Sequence, residues 1–176
     1  LQPNVNGNPC IITLIGAAGD YGNGLTGLPL ISEALTIQGN GAIIQRHFGA
    51  SAFRIFEANA PLTLLNLTIA NGLSSGGSGI YSSDGLALTG VTLRDNVATG
   101  NGAHLGGAVY QSKLEKSVSI RFSRVERNRA TAGGGLFIAG NLTLLNSQVD
   151  SNTAQTAAGG LWATNGATLR NSTLSG

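Results

Sequence analysis

The chain of 176 residues contains no methionine, a single cysteine (Cys10), one tryptophan and four prolines, and only 10% of its residues are charged. One cysteine excludes an intrachain disulfide framework and leaves an inert thiol or an intermolecular link. Ten basic against eight acidic side chains give a net charge of +2. That balance makes no basic field of the kind that recruits nucleic acid, so no nucleic-acid partner is expected. No apolar run approaches the ~20 residues that a membrane-crossing helix needs. Neither an initiator methionine nor an apolar targeting segment opens the chain at LQPNVNGNPC, so its start reads as a processed or trimmed terminus.

Strong helix formers are also few. Their places are taken by 27 glycines and by abundant Asn, Thr and Ser, while the hydrophobic share stays at 41%. That share is too high for a disordered chain. The chain therefore buries a core without helices, and its scarcity of Cys and Met beside plentiful Asn, Thr and Gly suits an extracellular or cell-surface protein.

An internal repeat organises the sequence. Residues 118–137 read VSIRFSRVERNRATAGGGLF and residues 142–162 read LTLLNSQVDSNTAQTAAGGLW, the same order of steps twice over. An apolar pair two residues apart recurs as Leu35/Ile37, Leu62/Leu64, Leu86/Leu88, Val118/Ile120, Leu142/Leu144 and Ala167/Leu169. A second column is Ile69, Leu93, Val125, Val149 and Leu174, and a third pairs Ile80-Tyr81, Val109-Tyr110, Leu136-Phe137 and Leu161-Trp162. Alternation of this kind specifies strands, and a period of about 25 residues specifies stacked units.

We expect an all-β fold, a right-handed single-stranded parallel β-helix of about six to seven coils with three short strands per coil, stacked about 4.8 Å apart. Residues 1–176 form one domain on this reading, with less regular coils over 1–60 and regular repeats over 61–176. Ile12-Thr13-Leu14 fits a first strand. The longer step between Leu88 and Val118 holds insertions at 100–104 and 111–117. Leucine-rich repeats, which share the φ-x-x-Asn step, demand an apolar residue where Ser123, Ser147 and Ser172 stand.

The steps Leu93-Arg94-Asp95-Asn96, Val125-Glu126-Arg127-Asn128 and Val149-Asp150-Ser151-Asn152, each followed by x-Ala and later by Gly-Gly-aliphatic, resemble the paired repeats of polymorphic outer-membrane and autotransporter-like β-helix passengers. Residues 12–72, with GLPLI, LTIQGNGAIIQR and FRIFEA, are similar to the opening coils of large secreted bacterial β-helix proteins. The resemblance implies a secreted or surface-displayed protein, often adhesive. Where that family carries Phe before x-x-Asn, this chain has Leu93, Val125 and Val149.

Few residues remain for function once the stack is accounted for. Asn96, Asn128 and Asn152 are either a polar ligand ladder or, as we expect, turn residues bonding backbone groups along the stack. If Ile80, Val109, Leu136 and Leu161 point inward, alternation turns Tyr81, Tyr110, Phe137 and Trp162 outward as a stripe fit for sugar rings or a protein partner. Arg121, Arg124, Arg127 and Arg129 crowd one coil, where they form a solvated face neutralised by Asp95, Glu126 and Asp150 or bind an acidic polymer. Arg94 over Glu126 and Asp95 over Arg127 are expected to pair between coils.

Enzymes built on such coils, pectate lyases and polygalacturonases among them, need clustered carboxylates. Here the acidic residues are scattered, His47 and His104 lie far apart in sequence, and no nucleophile motif accompanies Cys10. We expect no catalytic residue, no metal site and no cofactor. The leading expectation is a non-catalytic structural or adhesive module; a polysaccharide-active or carbohydrate-binding protein is the alternative. The chain stops at Leu174-Ser175-Gly176 within a coil, so a larger parent chain or a second copy stacked head to tail through Ile12, Leu14, Leu169 and Leu174 is expected to complete it.

Overall fold

The computed structural model describes residues 7–100 and 104–176; the part of the predicted corner insertion at 101–103 lies outside them. Every element among these residues is a strand, and they stack as a parallel β-solenoid of about six turns. One antiparallel strand pair, Gly19–Asp20 with Leu25–Thr26, and one isolated antiparallel bridge, Phe53 with Leu73, interrupt the pattern in the early turns.

Each regular turn holds four strands rather than the expected three. The first ladder stacks Leu86–Thr89, Ser117–Arg121, Asn141–Leu145 and Gly166–Arg170 in one register, so that Leu88, Ile120, Leu144 and Leu169 share a column. The second stacks Thr92–Arg94, Arg124–Glu126, Gln148–Asp150 and Thr173–Ser175. The third is the strand that sequence reading took for a linking x-Ala step: Leu73–Ser74, Val97–Ala98, Arg129–Ala132 and Thr153–Ala157. Apart from Leu73 and Val97 its residues are small or polar, so it lacks the apolar alternation that marks the others. The fourth carries the aromatic column over Phe56–Ala58, Ile80–Ser82, Val109–Gln111, Leu136–Ile138 and Leu161–Ala163. In the early turns Leu35–Arg46 and Leu62–Ala70 run unbroken through both of the first two ladders, and Ile11–Leu14 pairs with the second half of the former.

Corners are made by left-handed residues. Asn66, Gly90, Phe122, Asn146 and Asn171 turn the chain between the first and second ladders, and Asn71, Asp95, Arg127 and Ser151 turn it between the second and third. Just inside the first corner, hydroxyls replace side-chain packing. Ser123 Oγ accepts from the Val91 amide at 3.0 Å, Ser147 Oγ from the Ser123 amide at 3.1 Å and Ser172 Oγ from the Ser147 amide at 3.1 Å. These are the serines that an apolar leucine-rich column cannot contain.

The core is one cluster running through the stack. Leu64, Leu88, Ile120 and Leu144 fill it from the first ladder, Ile69, Leu93, Val125 and Val149 from the second, and Phe56, Ile80, Val109 and Leu136 from the fourth. Adjacent turns approach so closely behind the aromatic ladder that a Cβ on Gly134 would lie 2.2 Å from the Thr153 carbonyl oxygen. The Gly-Gly step of the repeat is therefore a packing requirement.

Candidate functional site: an aromatic stripe and its surroundings

The register of the fourth ladder decides which way its side chains face. Ile80, Val109 and Leu136 are fully buried, so alternation turns Tyr81, Tyr110, Phe137 and Trp162 to the outer surface as one column. Ring centroids stand 5.4 Å apart for Tyr81/Tyr110, 5.6 Å for Tyr110/Phe137 and 5.7 Å for Phe137/Trp162. The first two pairs are edge to face and the last is stacked at 15°. Trp162 is 39% exposed, while Tyr81, Tyr110 and Phe137 are half-buried. Burial, followed by the neighbouring Tyr81, raises the Tyr110 pKa, so the phenol is neutral at physiological pH.

A charged network that sequence reading missed supports the low-numbered end of the stripe. Arg54 and Glu57 are both buried, with Nη1 3.4 Å from Oε2. Glu57 also accepts from Thr26 Oγ1 at 2.9 Å and from Asn23 Nδ2 at 2.8 Å, while Arg54 Nη2 donates to the Asn23 carbonyl. Desolvation lowers the Arg54 pKa, and Glu57, Tyr81 and Asp20 work against it. The guanidinium lies 5.0 Å from the Tyr81 ring centroid, a cation held over an aromatic face. The signal was a charge pair inside the apolar run FRIFEA, where a strand residue and its second neighbour but one are both ionic.

Tyr81, Tyr110, Asn23, Arg54 and Ser75 line a recess of about 260 Å³ together with the buried His104. His104 Nδ1 sits 2.8 Å from the Ser75 carbonyl oxygen, to which it donates. Elsewhere, an apolar hollow of about 520 Å³ under Leu28, Ile31, Leu35 and Phe56 has only Ser32 and Glu33 to orient a ligand.

The asparagines form an internal ladder. Asn96 Oδ1 accepts from the Gly72 amide, Asn128 Oδ1 from the Asn96 amide and Asn152 Oδ1 from the Asn128 amide, all at 2.9 to 3.0 Å. All three side chains are buried, so they present nothing to a ligand from solution.

Carboxylates are engaged one by one. Asp95 takes Arg94 at 2.8 Å and Arg127 at 3.0 Å. Glu126 takes Arg124 at 3.2 Å and Arg127 at 2.8 Å, and Asp84 takes Lys116 at 2.8 Å. The Asp95/Arg127 pair links adjacent turns, whereas Arg94 turns to its own neighbour Asp95 rather than across to Glu126. Burial works to raise the Asp95 pKa, but its bonds to Arg127 and Arg94 outweigh that and hold it below the ordinary value of 3.8. A depressed pKa stabilises the fold above the unfolded value and is lost as pH falls through the folded one. Asp95→Asn is accordingly expected to cost less than ~1 kcal/mol at pH 7, because the pair is partly exposed. Urea unfolding of the two proteins should converge as the pH falls below 3.8.

Among the described residues no group of three or more His, Cys, Asp or Glu is placed to hold a metal ion, and no helix is long and apolar enough to cross a membrane. Ile12 and Leu14 pack partly buried against the core, while Leu169 and Leu174 carry inner columns onto the last turn with 38% and 48% exposure. Comparison with family models, with curated proteins and with solved structures finds no match to this chain.

Proposed function

We propose that the chain is a non-catalytic, extracellular adhesive β-solenoid module that holds a polysaccharide along its aromatic stripe. The observation that carries this reading is the single outward column of Tyr81, Tyr110, Phe137 and Trp162 in unbroken register, each ring 5.4 to 5.7 Å from the next. A linear glycan offers apolar ring faces at intervals, and a column of aromatic groups on a rigid ladder receives them without reordering. The hydrogen-bonding side chains beside the first two rings, Asn23, Ser75 and Ser112, suit hydroxyls; Tyr81 Oη already donates to Ser112 Oγ at 3.2 Å. The non-catalytic part rests on Asp84, Asp95 and Glu126 being paired with lysine or arginines, Asp20 with backbone amides, and Glu57 being held in the buried network. The resemblance of the repeats to autotransporter-like passengers supports display outside the cell.

The test is affinity electrophoresis of the chain through gels containing neutral and acidic polysaccharides. Trp162→Ala should weaken retardation by the bound glycan roughly tenfold, as loss of one stacking contact of about 1.4 kcal/mol requires. Retardation equal to wild type for both Trp162→Ala and Tyr110→Ala would remove the stripe from consideration. Release of unsaturated or reducing ends from any of these polymers would replace the adhesive reading with an enzymatic one.

A further inference from the structure

One corner of the solenoid departs from its own rule. Between the first and second ladders, the corner residue is Asn66, Gly90, Asn146 or Asn171 in four turns and Phe122 in the fifth, where φ is +48°. Asn and Gly tolerate the left-handed region because one lacks a Cβ and the other bonds locally; a bulky aromatic residue does neither. Phe122 is also 62% exposed and stacks on no other ring among the described residues, so no core packing offsets the strain. Arg127, left-handed at the next corner, differs in being tied to Asp95 and Glu126. Strain held at an exposed position without a structural return is a mark of use.

The surroundings say what use. Phe122 lies in an open groove of about 790 Å³ that crosses several turns, with Arg94, Arg124, Gln148 and Asn146 along it. Arg124 is fixed by Glu126 at 3.2 Å and by Gln148 Oε1 at 2.8 Å. Arg121, the residue before Phe122, bonds Ser119 Oγ at 3.2 Å and makes no ion pair among the described residues, nor does Arg170 in the same column two turns on. Glu126 is the one acidic residue lining the groove. We infer that this groove is a second binding site, separate from the aromatic stripe, in which Phe122 stacks on a sugar ring of an anionic glycan while Arg94 and Arg124, which line it, meet its charged groups. A planar guanidinium forks onto carboxylate or sulfate, and a rigid ring beside it discriminates a glycan from a simple polyanion.

The strain makes the site testable without a folding failure. Phe122→Asn installs the residue used at the neighbouring corners, so the full chain should fold with Tm raised by about 2–4 °C. Its affinity for polygalacturonate or dextran sulfate, read by titration calorimetry, should fall at least tenfold, with Phe122→Tyr close to wild type. Arg124→Gln should weaken binding and flatten its salt dependence, and Phe48→Ala, at an exposed aromatic residue outside both the groove and the stripe, should leave it unchanged. Which of the two polyanions binds more tightly assigns the carboxylate or the sulfate. The inference is overturned if neither polymer binds, if unmodified dextran binds equally well, or if Phe122→Asn binds as wild type. Loss of binding in Tyr110→Ala but not in Phe122→Asn returns the anionic glycan to the stripe.

Discussion

Glu57→Gln and Arg54→Met, made singly, are each expected to destabilise the chain by about 3–5 kcal/mol, the cost of leaving one member of a buried ion pair without the other. The pair is enclosed: both residues are essentially inaccessible, and the carboxylate's remaining capacity is met by Thr26 and Asn23. Glu57→Gln keeps an oxygen for those donors but strands the guanidinium; Arg54→Met strands the carboxylate. In thermal melts each should lower Tm by on the order of 10 °C. Replacing the network together, as Arg54→Met, Glu57→Leu and Thr26→Val, should recover most of the loss, because a buried pair seldom outcompetes apolar packing of similar volume. Costs below ~1 kcal/mol for both single changes would show that the pair is solvated. The effect extends to the stripe, since Arg54 sits 5.0 Å from the Tyr81 ring centroid and fixes the support of its first ring.

Asn128→Ala is expected to cost about 3–5 kcal/mol and to exceed Asn152→Ala. Asn128 Oδ1 accepts from both the backbone amide and the side-chain amide of Asn96, and its Nδ2 donates to the carbonyls of Leu93 and Glu126 and to Asn152 Oδ1. Truncation leaves several buried groups unpaired at once, each worth ~1–3 kcal/mol. Asn152 has an Asn neighbour on one side only, so its removal breaks fewer bonds. Asn128→Asp keeps the acceptors but loses the donors and buries a charge, and it should be no better tolerated than alanine. Chemical denaturation gives the order; amide exchange should show the fastest opening around Asn96, whose amide loses its partner. Equal costs at 128 and 152 would show that the ladder adds nothing beyond separate turns.

Much of the architecture was legible because strands announce themselves by alternation. Leu88, Ile120 and Leu144 recur with polar residues between them, and stacking at a constant period needs no further information to imply a parallel ladder. The third strand of each turn was not legible, since Val97-Ala98 and Ala130 carry too little apolar contrast to stand out from a linker. Ser123 and Ser147 read as polar gaps, and only the neighbouring turn reveals that their hydroxyls meet buried amides.

The candidate sites divide in the same way. Alternation within Leu136-Phe137 and its equivalents, with the inner set assigned to the aliphatics, already orders the four rings into one column. The burial of Arg54 against Glu57 had no such signature, because the depth of a residue depends on what later folds over it, here Asn23, Thr26 and the turn of Tyr81. The sequence by itself determined the repeat, its period and the inner columns, all properties of neighbours along the chain. The tertiary structure alone decided which charges are buried, which corner is left-handed under a phenylalanine, and which arginines share a groove, because those depend on residues about 25 or more positions apart meeting across a rung.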